Sequence, residues 1–331
     1  TAANAEVLMG NYYGISESLT TLIEGVAARL PEGIRLEYRP GTLLLHVPAT
    51  LSPWTTMDAS RADIVIACMG LSPQMEGEEG DAIESTVNGD RTEIGLPAVQ
   101  ADYLRLLKEN GSRLVLVLTG GSAMALGDVA DLADAILYIW YPGQEGGRAL
   151  ADVLFGHVVP SGKLPLTFPR SIEQLPPFEE YDMAGRTYRY MAEDPQFPFG
   201  FGLSYTSFAY EGIQAPAKIN AGEPLPVQVT VRNSGSVDAD EVVQLYISAV
   251  TPGAGDPLYT LVGFSRVRLA AGETQTVEFT LTGNELGTVD ADGRLAVRPG
   301  AYRLTAGGSS PGSVSTALGA PKPQVWEFSI G

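Results

Sequence analysis

The sequence is poor in cysteine, histidine and positive charge. Its 331 residues include one cysteine and two histidines, and 39 acidic residues outnumber 21 basic ones, for a formal net charge of −18. The single Cys68 excludes a disulfide within the chain, and its place in the apolar run ADIVIACMG predicts a buried thiol rather than a nucleophile. The scattered Lys and Arg residues argue against a nucleic-acid partner, because affinity for a phosphate backbone depends on clustered positive charge.

Signatures of metal and cofactor binding are also missing. His46 and His157 have no Cys, His or paired carboxylates around them at metal-ligand spacing. The PSGK stretch lacks the Ser or Thr that a phosphate loop requires after Lys163, and the glycines of YPGQEGGRA do not follow the G-x-G-x-x-G spacing. We therefore expect no metal and no cofactor, and we interpret the glycines of YPGQEGGRA as turn and packing residues.

Long apolar runs are absent, since no stretch reaches the about 18 consecutive apolar residues of a membrane-spanning helix. We expect a soluble protein without a membrane partner. The chain opens TAANAEVLMG, without an initiator Met or a signal peptide, so we expect it to be processed or to be the back part of something longer. The compartment stays open, with the periplasm and the exterior as candidates beside the cytoplasm.

What the sequence does contain is apolar periodicity of two kinds. In the first part, short continuous apolar runs predict strands buried on both faces, and amphipathic segments between them predict helices. We therefore expect an α/β open sandwich with a mostly parallel sheet over residues 1–200. The predicted strands are 62–69, 113–119 and 135–140, and the predicted helices are 19–30, 97–110 and 145–155.

Beyond Tyr205 the apolar residues alternate with polar ones, as in LPVQVTV, and no helical period remains. Such short alternating runs with Gly, Asn and Asp between them predict an antiparallel β-sandwich of about 100 residues. The stretch DPQFPFGFGLSYTSF, dense in Pro, Gly and aromatics, is the predicted connector. We thus assign residues 201–331 to a linker and an all-β domain.

The stretch QMEGEEGDAIE holds five carboxylates between Glu76 and Glu84, directly after the first predicted strand. Ligands of open parallel sheets bind at the carboxyl ends of strands. Crowded carboxylates repel one another, so that one of them can hold its proton to unusually high pH, as a general acid must. The alternative is a solvated acidic loop, which composition alone slightly favours.

Seven blocks, in order along nearly the whole chain, resemble the C-terminal part of glycoside hydrolase family 3. The most diagnostic is YPGQEGGRALADVLFG followed by SGKLPLTFP. The blocks are VLMGNYYGIS, GLSPQMEGEEGD, NGDRTEIGLPAVQ, LVLTGGSAM, YPGQEGGRALADVLFGHVVPSGKLPLTFPRS, GRTYRYM and FPFGFGLSYTSF.

This resemblance implies a retaining, exo-acting β-glucosidase or β-xylosidase whose α/β sandwich is followed by a fibronectin III-like domain. Glu78 matches the general acid/base, Glu76 is the runner-up, and Glu79 stays open because Gly80–Gly89 separates it from the Asp-Arg pair of the motif. The implied substrate-binding residues are Glu76, Asp90, Arg91 and Tyr188. For Tyr188 an alternative is a packing strand in GRTYRYM, and Trp54 and Trp140 are expected in the core.

The resemblance also implies a partner. The nucleophile of the family is an Asp on a (β/α)8-type barrel, which this sequence does not contain, so we expect the chain alone to be inactive and to need an N-terminal barrel domain or chain. The implied substrate is a β-linked gluco- or xylo-oligosaccharide. The fibronectin-like module has no exposed aromatic cluster in its sequence and is expected to be a scaffold. The alternative function is a non-catalytic accessory or interaction protein that has lost the barrel.

Overall fold

A computed structural model describes residues 1–45, 53–77, 89–289 and 292–331. The described residues form two compact units, Thr1–Val158 with Arg170–Ile172, and Val159–Pro169 with Glu173–Gly331. A boundary between independent domains near residue 200 stays a prediction. The helices are α1 Leu22–Arg29, α2 Pro53–Ala59, α3 Ala98–Glu109, α4 Gly146–Leu154, α5 Thr187–Tyr190, α6 Gly283–Leu286 and α7 Ser313–Ala317. The strands are β1 Val65–Gly70, β2 Leu114–Thr119, β3 Ala135–Tyr138, β4 Phe208–Gln214, β5 Lys218–Ile219, β6 Leu225–Asn233, β7 Ala239–Ala249, β8 Thr260–Leu269, β9 Thr274–Leu281, β10 Thr288–Val289, β11 Leu295–Ala296, β12 Gly300–Gly307 and β13 Gln324–Ile330.

The first unit is built on a parallel sheet. Its described strands lie in the order β1-β2-β3, with Cys68 beside Val117 and Val117 beside Leu137. The predicted α/β architecture is confirmed. The third strand ends two residues earlier than predicted, because Trp140 adopts a φ of +56°, a conformation that no strand can contain.

Local sequence explains where the helices of this unit begin. Helix α1 starts at Leu22 rather than at Leu19, because Thr21 caps it: the Thr21 side chain accepts from the Glu24 backbone, and the Glu24 carboxylate accepts from Thr21 N at 2.8 Å. Leu22 of α1 and Leu150 of α4 pack with Val117 of β2 in one apolar cluster. The amphipathic faces that the sequence predicts are therefore the faces that cover the sheet.

Two glycines allow α1 and the start of α4 to touch through their backbones. A Cβ atom on Gly147 would lie 2.0 Å from the carbonyl oxygen of Thr21, and one on Gly25 would lie 1.9 Å from the carbonyl oxygen of Gly147. The backbone N–H of Gly147 also donates to Thr20 O at 3.1 Å. The interpretation of the glycines in YPGQEGGRA as packing residues is confirmed for Gly147.

The second unit is a β-sandwich. Its two larger sheets have the strand orders β5-β13-β12-β7-β8 and β4-β6-β9, and apart from the parallel pair β5 and β13 their neighbours run antiparallel. Inward-facing residues alternate with exposed ones, as in β6, where Val227, Val229 and Val231 are buried and their neighbours mostly are not. The predicted all-β second part is confirmed.

A buried ion pair ties the segment before the sandwich to it. Lys163 Nζ lies 3.4 Å from a carboxylate oxygen of Glu241 and donates to Gly202 O at 2.9 Å. Tyr210 donates its hydroxyl to Glu241 at 3.0 Å. Burial raises the pKa of the Glu241 carboxyl, while the lysine and the tyrosine oppose that shift. Lys163 therefore has a packing role, in keeping with the rejection of PSGK as a phosphate loop.

The prediction of a packing strand in GRTYRYM is wrong, because Thr187–Tyr190 forms the short helix α5. Gly185, at a φ of +73°, and Thr187, at +58°, turn the chain so that an extended conformation cannot continue. No helix among the described residues has the length and apolar character needed to cross a membrane.

The contact between α1 and α4 leads to a first prediction. Gly147→Ala should lower the free energy of unfolding by about 2 kcal/mol or more, because the added methyl group meets backbone atoms that cannot rotate away. Urea unfolding followed by circular dichroism measures this. The control is Gly14→Ala, whose Cβ would meet no atom within 4 Å. Equal effects of the two substitutions would contradict the packing argument.

Candidate functional site

The carboxyl end of β1 leads into the acidic stretch, and buried polar groups fix this junction. Gly70 has a φ of +118°, and a Cβ there would lie 2.1 Å from Thr119 O, so only glycine lets the ends of β1 and β2 approach this closely. The Gln100 side chain of α3 accepts from Gly70 N and donates to Gly70 O, both at 2.7 Å. The Thr119 hydroxyl bonds to Leu71 O at 3.1 Å. The chain therefore leaves the sheet in one defined direction.

Six residues beyond Gly70, the carboxylate of Glu76 lies between the ends of the other two strands. One oxygen accepts from the backbone N–H of Gly121 at 2.6 Å and from the Tyr141 hydroxyl at 2.5 Å. The other oxygen accepts from the hydroxyl of Ser122. Gly121 and Ser122 follow β2, and Tyr141 follows β3. One side chain from the end of β1 thus joins the ends of all three strands.

A second layer surrounds this carboxylate. Arg91 approaches it to 3.7 Å and donates to the Ser122 hydroxyl at 2.9 Å. Only 10% of the Glu76 side chain and 16% of the Arg91 side chain are exposed. Asn11 donates to the backbone carbonyl of Glu76 at 3.0 Å. A buried charge needs hydrogen-bond donors and an opposite charge, and Glu76 has both.

Two tyrosine hydroxyls complete the cluster as hydrogen-bond donors. Burial, and then the hydrogen bond and the charge of Glu76, raise the pKa of Tyr141 far above its usual value. Burial and the charge of Glu76 also raise the pKa of Tyr138, which donates its hydroxyl to Ser122 O at 2.5 Å. Both phenols hold their protons at neutral and mildly basic pH, so the network around Glu76 stays intact there.

This arrangement suits Glu76 to an anchoring role. A general acid must present its proton to an oxygen of the substrate. Both oxygens of Glu76 already accept hydrogen bonds within the first unit, and only 10% of its side chain is exposed. Glu76 therefore holds the start of the acidic stretch in place, and a role for it as the acid/base or in substrate binding stays a prediction.

The structure brings some of the predicted site residues together. Glu76 and Arg91 are neighbours, and Asp90 beside Arg91 is exposed, with no hydrogen-bond partner among the described residues. Glu78 and Glu79 lie outside the described residues. The described ranges contain no group of three or more His, Cys, Asp or Glu side chains that could hold a metal ion.

Tyr188 belongs to the second unit and makes its contacts there. Its ring stacks on Phe199 at 4.2 Å between centroids, and its hydroxyl accepts from Leu261 N at 3.2 Å. Tyr246 and Tyr259 complete the aromatic cluster. These are contacts of a packing residue, and a role for Tyr188 in sugar binding stays a prediction.

Ser122, Tyr138, Tyr141 and Asn11 are not among the residues that the sequence predicts for the site. A signal for two of them was present: Ser122 comes three residues after the predicted strand 113–119, and Tyr141 comes directly after the predicted strand 135–140. The rule that placed the acidic stretch at the carboxyl edge applies equally to the residues that follow the second and third strands. For Asn11 the sequence carries no such signal.

Two protein families match the chain. Residues 1–205 match the Glycosyl hydrolase family 3 C-terminal domain, and residues 241–310 match a Fibronectin type III-like domain. A Xylan 1,4-beta-xylosidase from Xylanibacter ruminicola is 45% identical over 248 residues, which are 74% of this chain and 28% of the relative. A Periplasmic beta-glucosidase from Salmonella typhimurium is 33% identical over 328 residues, covering 89% of this chain and 42% of the relative.

Solved structures of β-glucosidases also resemble this chain over its whole length. A β-glucosidase from Erythrobacter marinus superposes with a TM-score of 0.81 at 31% identity, over 100% of this chain and 46% of that one. A β-glucosidase from Listeria innocua, solved with isofagomine, has a TM-score of 0.81 at 26% identity and covers 100% and 45%. The chain spans less than half the length of each of these four proteins.

The network around Glu76 leads to a second prediction. Tyr141→Phe should lower the free energy of unfolding by roughly 1.5–3 kcal/mol, because it removes a donor from a buried carboxylate. The loss should be constant between about pH 6 and 9 and should shrink above about pH 10, where the unfolded phenol ionises while the folded one keeps its proton. Urea unfolding across this pH range measures both effects.

The matched control is Tyr13→Phe, since Tyr13 is 62% exposed. It should change the free energy of unfolding by no more than about 0.5 kcal/mol. If Tyr141→Phe were as mild as this control, the carboxylate of Glu76 would not depend on its donors.

Proposed function

Because the chain belongs to glycoside hydrolase family 3, we propose that it supplies the general acid/base of a retaining, exo-acting β-glycosidase. In this proposal Glu78 is the acid/base, and its substrates carry β-linked glucose or xylose at their nonreducing ends. The nucleophile comes from a (β/α)8-type barrel domain that is not among these 331 residues. The names of the β-xylosidase and β-glucosidase relatives support the substrate class.

The observation that carries the proposal is the anchoring of Glu76. This carboxylate joins the ends of three parallel strands, and Glu78 follows it by two residues. A proton donor must be held within a fraction of an ångström of its acceptor, so a catalytic carboxyl needs a rigid attachment close by. Glu76 supplies such an attachment at the carboxyl edge of the sheet, which is the edge where ligands of this fold class bind.

The chemistry divides the reaction between two carboxyl groups. In a retaining mechanism one carboxyl protonates the leaving oxygen while the other attacks the anomeric carbon, and the two lie about 5–5.5 Å apart. The first then acts as a base on the water that releases the sugar. Glu78 takes the acid/base part, and Asp90 and Arg91 are the proposed contacts to the substrate.

A third prediction separates the two glutamates. In a protein that joins this chain to its barrel, Glu78→Ala should slow hydrolysis of glycosides with poor leaving groups by about 10²–10⁴-fold. Activated aryl glycosides should lose less, because their leaving groups need no proton, and azide should restore their turnover by replacing the water that Glu78 activates. Steady-state kinetics with both substrate classes measure the pattern.

The matched variant is Glu76→Ala, which removes the anchor but no proton donor. It should lower kcat for activated and poor leaving groups alike, and azide should not rescue it. If Glu76→Ala showed selective loss with azide rescue while Glu78→Ala did not, the assignment would be wrong by two residues.

A further inference from the structure

The second unit contains a cavity of about 610 Å³ that the proposed chemistry does not use. Its walls come from β8, from α6 and β10, and from the end of α5. The volume lies within the range of small-molecule sites, which are about 300–1,000 Å³. All of its lining residues belong to the second unit, so the cavity is complete without the first.

An exposed aromatic ring stands at this cavity. Phe264 is 69% exposed, on the outward face of β8, where Arg266 and Arg268 occupy the next outward positions. A bulge precedes it: Gly263 pairs with Leu245 and Leu261 with Tyr246, so that one extra residue, Val262, is inserted in β8. Bulges re-aim the side chains that follow them. A large apolar ring exposed within a strand offers a ligand apolar surface whose burial is favourable.

A second aromatic ring is held beside this strand. The backbone N–H of Leu258, just before β8, donates to Arg189 O at 2.7 Å, which fixes the end of α5 against the start of β8. Tyr190 follows at once, with the guanidinium of Arg189 5.4 Å from its ring centroid. Tyr190 and Phe264 therefore line one cavity from two backbone segments that a hydrogen bond holds together.

The polar groups of the cavity favour a neutral ligand. Arg189 lines the cavity and carries guanidinium hydrogen-bond donors. Asp256 and Glu285 supply carboxylate oxygens, although the first is paired with Arg298 and the second caps α6. Anions would meet these carboxylates and cations would meet Arg189. A neutral polyol can donate to the former and accept from the latter without burying a net charge.

We propose that this cavity is a non-catalytic site for a neutral, β-linked oligosaccharide. The equatorial substituents of β-linked glucose and xylose leave the two faces of each ring to C–H groups, which pack on the rings of Phe264 and Tyr190, while the hydroxyls at the ring edge reach Arg189 and Asn284. The choice of β-linked glucose or xylose rests on the proposed function. The presence of a carbohydrate site does not.

The test is isothermal titration of the 331-residue chain with xylohexaose and with cellohexaose. We expect saturable binding of at least one of them, and Phe264→Ala should weaken it about 10-fold or more, as for an aromatic hot spot. Phe264→Tyr should retain it. The matched control is Phe178→Ala, since Phe178 is 81% exposed in the same unit but does not line the cavity.

Several outcomes would overturn the proposal. These are no binding of either hexaose, equal weakening by Phe264→Ala and Phe178→Ala, or a dimer in sedimentation that Phe264→Ala dissociates, which would make the cavity a protein interface. If hexaose binding depends on Phe264 but this chain joined to its barrel shows no glycosidase activity, the carbohydrate site is retained and the proposed function is rejected, so the two failures are distinguishable.

Discussion

The hydrogen-bonded carboxylate of Glu76 is the interaction on which the first unit's proposed role depends. A charge with 10% of its side chain exposed is stable only if donors replace the water it has lost. Those donors come from Gly121, Ser122 and Tyr141, so the ends of the second and third strands must stay where they are for the end of the first to be fixed. The position of Glu76 therefore depends on the geometry of the whole parallel sheet.

The same interaction gives one acidic residue of the stretch a defined place. The Glu76 carboxylate accepts hydrogen bonds from three donors, which suits it as an anchor for the residues that follow. In the proposed function, the crowding of carboxylates in QMEGEEGDAIE has a physical use: Glu76 holds the stretch, and Glu78 is the acid/base. The second unit adds a different kind of surface, in which aromatic rings and balanced polar groups surround a cavity.

Much of the fold follows from the sequence because its signals are local. Continuous apolar runs located the three parallel strands, and Thr21 and Glu24 explain where α1 begins. The errors come from effects that periodicity does not contain. The positive φ of Trp140 ends the third strand early, and the turn at Gly185 and Thr187 places a helix where the alternating Tyr and Arg pattern predicts a strand.

At the candidate site, the position of the acidic stretch after a strand is predictable from the sequence. Its hydrogen-bond partners are not, because Ser122 and Tyr141 meet Glu76 only through the three-dimensional arrangement of the sheet. A binding role for Phe264 could not be predicted from the sequence, because a single aromatic residue on a strand forms no aromatic cluster there.

The central claim, that this chain holds the acid/base half of a retaining site, is tested most directly by one assay. Hydrolysis of aryl β-glucosides and β-xylosides is measured in three samples. These are the purified chain alone, the chain with its proposed (β/α)8-type barrel added, and the Glu78→Ala chain with that barrel. The account predicts no turnover by the chain alone, because the nucleophile is missing, and turnover by the associated pair that falls when Glu78 is replaced. Turnover by the chain alone, or none by chain and barrel shown to be associated, would contradict it.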